Sequence, residues 1–147
     1  MKQLSPRSYQ EFENYQQNYQ QYQISIPIQL AFTGGKQVIE IEGKQYLLDI
    51  REGCLNGEYL SIGNNLIQIV YEQNQCYSRE NDDLICSLLL DEKYRNQYVN
   101  LPYIIDNIQL DPVYLTQTNF VCSGMGFVNP TTMKRGDYKI NIQFVEQ

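Results

Sequence analysis

Val38-Ile39-Glu40-Ile41-Glu42-Gly43-Lys44-Gln45-Tyr46-Leu47-Leu48-Asp49-Ile50 is the stretch from which the fold is read. Ile39 and Ile41 flank Glu40, the period of a strand with one buried face. A second apolar run covers residues 46–50. Glu42-Gly43 between them is a two-residue connection of the kind that closes a tight hairpin. Strands are therefore expected at 38–41 and 46–50.

The same period extends in both directions. Upstream, Ile24, Ile26 and Ile28 alternate with Ser25, Pro27 and Gln29. Pro27 has no backbone donor, which places that strand at a sheet edge. Thr33-Gly34-Gly35 breaks the run. Downstream, 59–62 and 66–71 read as strands around Gly63-Asn64-Asn65. The second half repeats the grammar. An apolar strand is expected at 84–90 and a helical or turn segment at 91–96. Further strands are expected at 98–101, 107–110, 119–122 and 138–145. The fold class is mainly β: two tandem small β-sandwich-like units, 24–75 and 76–147, behind an N-terminal arm.

That arm, residues 1–23, holds seven Gln and four Tyr. Ser8 and Glu11 form a capping box. Phe12, Tyr15, Tyr19 and Tyr22 follow at the spacing of one helix face. A disordered amide-rich arm is the other reading. The helix is preferred, docked through its four rings on this chain or on a partner, because so polar a helix is marginal alone.

Composition narrows the chemistry. The chain has 147 residues, a net charge of −6 and no His. Without His there is no Ser-His-Asp or Cys-His nucleophile, no His general base and no His metal ligand. The acidic balance argues against a phosphate-backbone binder. No run of 18 apolar residues exists, so no transmembrane helix and no membrane insertion are expected. Cys54, Cys76, Cys86 and Cys122 contain no C-x-x-C pair, which excludes a zinc ribbon or a thioredoxin motif. They read as thiols in a reducing intracellular compartment, with cytoplasm, cilium and mitochondrion all open.

Other constellations are thin. Glu80, Asp82 and Asp83 read as a solvated turn rather than a metal or acid–base site. No Lys-Ser/Thr follows Gly124-Met125-Gly126, so it is not a phosphate loop. Ser123 has no His to activate it. Lys134-Arg135 is too small a basic spot for nucleic acid. No enzyme activity and no cofactor are expected.

The order of several segments resembles the two C-terminal peptide-binding domains of DnaJ-type heat-shock co-chaperones. Leu30-Ala31-Phe32-Thr33-Gly34-Gly35 is similar to the family's E-A-Y-T-G-G segment. Ile50-Arg51-Glu52-Gly53-Cys54-Leu55-Asn56-Gly57 resembles I-P-x-G-V-x-x-G, and Arg79-Glu80-Asn81-Asp82-Asp83-Leu84 resembles R-x-G-x-D-L. Leu101-Pro102-Tyr103-Ile104, Gly124-Met125-Gly126-Phe127 and Lys134-Arg135-Gly136-Asp137-Tyr138 resemble the later V-P-T-L, G-x-G-x and R-G-D-L-Y segments. The likeness spans residues 24–146.

The resemblance implies an apolar groove on the first unit for extended polypeptide. Carried over by position, it is lined by Ile39, Ile41, Tyr46 and Ile67. The departures are equally definite. No J domain with its H-P-D tripeptide, no zinc-finger insertion and no C-terminal dimerisation helix are expected. The Lys pair that receives the acidic tail of the ATP-driven chaperone is replaced by Gln37 and Val38. Stimulation of a DnaK-type ATPase is not expected. Two roles follow: a structural subunit of a larger assembly, such as a ciliary or mitochondrial complex, or a chaperone-like module binding unfolded or extended clients. The expected partners are other chains of that assembly or extended client polypeptides.

Overall fold

The structure, a computed structural model, describes residues 20–146. The chain divides between Gln73 and Asn74 into two compact units. Both are mainly β.

The first unit contains β1 (Gln20–Ile26), α1 (Ile28–Thr33), β2 (Gly35–Ile41), β3 (Lys44–Ile50), β4 (Glu58–Ile62) and β5 (Asn65–Tyr71). β1, β5 and β4 form one sheet in that order, β1 parallel and β4 antiparallel to the central β5. β2 and β3 form a separate hairpin. Its turn places Glu42 at φ 51° and Gly43 at φ 82°. Two successive left-handed residues give a turn whose twist matches that of the strands it joins. One sheet face is dry: Ile26, Leu60, Ile62, Ile67 and Ile69 are buried, and Phe32, Leu48 and Ile50 join them in the core. Each such side chain contributes about 1.5–3 kcal/mol when removed from water.

The N-terminal part of the first unit differs from expectation. Phe12, Tyr15 and Tyr19 lie outside the described residues, but residues 20–23 are strand, so the expected helix does not reach Tyr22. Parallel pairing of Gln20–Ile26 with Asn65–Tyr71 satisfies the backbone that a helix would have satisfied internally. β1 does lie at a sheet edge. Pro27, however, stands after the strand as the N-cap of α1, where its carbonyl accepts from the N–H groups of Leu30 and Ala31. Its φ of −61° suits that position.

The second unit contains β6 (Tyr77–Glu80), β7 (Asp83–Asp91), a 3₁₀ turn (Glu92–Tyr94), β8 (Tyr98–Val99), β9 (Val113–Tyr114), β10 (Asn119–Cys122) and β11 (Tyr138–Val145). Four strands run in the order β10-β11-β7-β6, with β7 parallel to β11. Leu84, Cys86, Tyr138, Ile140 and Ile142 form the dry face, while Ser87, Leu89, Lys139, Asn141 and Gln143 face water. Residues 107–110 are not a strand; β9 pairs with β8 instead.

Three segments separated in sequence meet in this unit. Phe127 N–H donates to the Asp82 carbonyl, and Gly136 N–H to the Phe127 carbonyl. Gly126 N–H donates to Gly136, and Leu84 N–H to Asp137. Arg79 pairs with the Asp82 carboxylate at 3.0 Å and stacks over the Phe127 ring. Asn129 donates to the other Asp82 oxygen at 3.1 Å. In the first unit, Gly53 N–H likewise donates to Ala31, joining two more of the segments quoted above.

Asp83 accepts from the Asp137 N–H at 2.7 Å and pairs with Lys139 at 2.9 Å. The Asp137 N–H first, and Lys139 second, hold its carboxyl below the ordinary value of 3.8. Folding therefore favours the ionised form. The stabilisation is present above pH ~4 and is lost as pH falls through the lower folded value. The stability gap between wild type and Asp83→Asn should shrink as pH drops below about 4. A gap that widens in acid, measured by urea unfolding at stepped pH, would contradict this assignment.

Candidate functional site

The four residues expected to line a groove separate into two kinds. Ile67 is 0% exposed and Ile41 5%. Ile67 lies on the central β5, in register with Tyr22 on one side and Leu60 on the other, so neighbours cover it. These two residues belong to the core of the first unit. Ile39 and Tyr46 are half-buried and stand directly opposite each other across β2 and β3. They offer apolar surface.

Tyr22, assigned by sequence to the arm, joins this surface. Its hydroxyl lies 3.0 Å from a Glu42 carboxylate oxygen at the hairpin turn and 2.7 Å from the Gln20 amide oxygen. Burial, the Glu42 hydrogen bond and the nearness of Tyr46 raise its pKa. Tyr22 thus ties the edge strand β1 to the tip of the hairpin. The surface consists of Tyr22, Ile39 and Tyr46 above a floor that includes Ile41 and Ile67.

The backbone around it is open. β1 pairs only with β5, and β2 and β3 pair only with each other among the described residues. Unpaired strand edges accept an added strand. The hairpin's opposite face carries one apolar cross-strand pair, Val38, 56% exposed, opposite the half-buried Leu47, between the polar pairs Lys36–Asp49 and Glu40–Gln45. Sequence reading did not single out this second face. The signal was present in Val38-Ile39, two adjacent apolar residues that a strand must send to opposite sides.

The remaining candidates have structural roles. Asp82 and Asp83 are engaged with Arg79, Asn129, Lys139 and backbone. The Gly124 N–H donates to the Asp137 carboxylate at 3.0 Å, and Arg135 donates to the Gly126 carbonyl at 3.0 Å. Cys54 and Cys86 are buried, Cys122 is half-buried and Cys76 is exposed. Burial raises the pKa of Cys86 and Cys122, which keeps both protonated. Among the described residues no group of three or more Cys, Asp or Glu could hold a metal, and no helix is long and apolar enough to cross a membrane.

No protein-family model matches the chain, and no curated protein matches it.

Proposed function

We propose that the chain is a non-catalytic polypeptide-binding protein. In this reading its two units are DnaJ C-terminal-like, and it serves as a structural subunit of a larger protein assembly, such as a ciliary or mitochondrial complex. The observation that carries this reading is the apolar surface on both faces of the hairpin. Ile39 and Tyr46 are half-buried on one face, and on the other the exposed Val38 pairs with Leu47 amid Lys36, Glu40, Gln45 and Asp49. A small apolar spot rimmed by polar residues suits a contact with a permanent neighbour. A reducing intracellular compartment belongs to the same reading, since it keeps the exposed Cys76 a thiol.

A second reading is favoured by the open strand edges beside Ile39 and Tyr46. Together they suit transient capture of unfolded or extended clients, in the manner of a chaperone-like module that does not drive an ATPase.

Native sizing separates the two. An assembly subunit purified from its source should elute in a particle larger than 17.3 kDa with partners at fixed stoichiometry. Val38→Lys should weaken that assembly by at least about tenfold, because a buried unpaired charge is costly. Val38 is exposed in the monomer, so its own stability should change by under about 0.5 kcal/mol. Elution as a monomer that binds a reduced, carboxymethylated polypeptide through Ile39 would favour the second reading.

A further inference from the structure

In the second unit, β7 is longer than the strand that covers its edge. β6 pairs with Asp83 to Cys86, and one further bond joins the Ser87 N–H to the Cys76 carbonyl. There the ladder stops. The Asn74 side chain accepts from the N–H groups of Cys76 and Tyr77, so a side-chain turn stands in place of further pairing. β7 runs on to Asp91.

Backbone groups of alternate strand residues face the same neighbour. The Leu84 N–H points toward the β11 side and the Ser87 N–H toward β6. Leu89 therefore presents its N–H and C=O to the side that β6 leaves open, and no described residue bonds them. Beside this edge, Leu88, Leu90, Tyr94, Val99, Asn100 and Leu101 line an open cavity of about 230 Å³. A cavity of roughly 150 Å³ holds a benzene ring. This one admits a Leu or Phe side chain.

We propose that residues 88–90 and this cavity form a strand-addition site for an extended segment of another polypeptide that carries a large apolar residue. The unpaired donor and acceptor of Leu89 call for an extended backbone. A lipid or small apolar ligand would fill the cavity and leave the edge unbonded. An added strand sends alternate side chains to opposite faces, so one bonded at Leu89 directs its next side chain into the cavity. The site lies wholly in the second unit and is independent of the hairpin of the first.

The whole chain, ¹⁵N-labelled, would be titrated with the peptide acetyl-Ser-Gln-Thr-Leu-Thr-Gln-Ser-amide. Saturable shifts are expected at the amides of Leu89, Val99 and Leu101. N-methylation of both peptide threonines should weaken binding by about tenfold, since it removes the backbone bonds. Replacing the peptide leucine by serine should weaken it by a similar factor, about tenfold. Leu89→Pro removes only the outward N–H, at a position where an edge strand tolerates Pro, and should also weaken binding. Should that variant misfold, the methylated peptide on the unaltered protein still decides. Undiminished binding of the methylated peptide would overturn the proposal. So would shifts confined to Ile39 and Tyr46, no shift at residues 88–90, or Leu89 shifts that depend on protein concentration without peptide, which would mark a second copy as the occupant.

Discussion

Gly136→Ala should destabilise the second unit by about 3 kcal/mol or more. A Cβ at that position would stand 2.3 Å from the Asp82 carbonyl oxygen, 2.5 Å from the Asp82 carbonyl carbon and 2.8 Å from an Asp83 carboxylate oxygen. The first two are backbone atoms, and no rotamer change relieves the contact. That backbone is held by the bonds from Phe127 to Asp82, Gly136 to Phe127 and Leu84 to Asp137. Relief requires parting three chain segments at once. For a domain of this size, 3 kcal/mol lowers the melting temperature by about 12–24 °C. Gly124→Ala is the control. Nothing lies within 4 Å of its Cβ, but its φ of 72° is left-handed, so the cost should be about 1–2 kcal/mol. Guanidinium unfolding of both variants makes the comparison. A Gly136→Ala protein within about 1 kcal/mol of wild type would mean that the junction is looser than described.

Tyr138→Ala should cost about 3–5 kcal/mol, the range for removing a large buried ring. Tyr138 is 0% exposed. Its ring centre lies 5.2 Å from that of Tyr103 and 6.5 Å from that of Tyr77. Its hydroxyl donates to the Pro102 carbonyl. Tyr138→Phe keeps the ring and loses that bond, for about 1 kcal/mol. The pair also has a pH signature. Burial, and then the neighbouring Cys86, raise the Tyr138 pKa well above 10, and burial pushes Tyr77 up to about 12. Folding thus favours the protonated phenols. Their stabilisation is full below pH ~10 and declines as pH rises beyond it. Wild type should lose stability above about pH 10, and Tyr138→Phe should lose less. Equal alkaline slopes for the two proteins would remove Tyr138 from this role.

The hairpin was legible because its signals are local. Alternation around Glu40 and the Glu42-Gly43 connection lie within a dozen residues, and β2 and β3 form around that turn. β10 and β11 were legible for the same reason. The edge strand β1 was misread over residues 20–23. Gln20, Gln21 and Gln23 carry no alternation, and the three-residue spacing of Tyr19 and Tyr22 is that of a helix face, not of a strand. Its conformation is set by β5, 45 positions away in register, and no local period records such a partner. β6 was missed because it is short and polar, and β9 because two residues, Val113 and Tyr114, are too few to show a period. In the candidate site, position along the chain placed Ile39 and Tyr46 together. It could not show that Ile67 sits on a central strand, because strand order depends on pairings between distant segments.

The two sheets share a consequence for the order in which they can form. In each, the strand that joins the others is the last to be synthesised: β5 lies between β1 and β4, and β11 between β10 and β7. A nascent chain that has emerged only through Ile62 holds β1 and β4 with nothing between them. One that has emerged through Cys122 holds β7 and β10 in the same condition. Cooperative closure waits in both units for one late, long-range parallel pairing, the slow kind of contact to make. Until then the unpaired backbone edges of β1 and β7 are exposed to other chains. A ribosome pausing before Tyr138 is added would leave the second unit with the β6–β7 and β8–β9 pairs and without its four-stranded sheet.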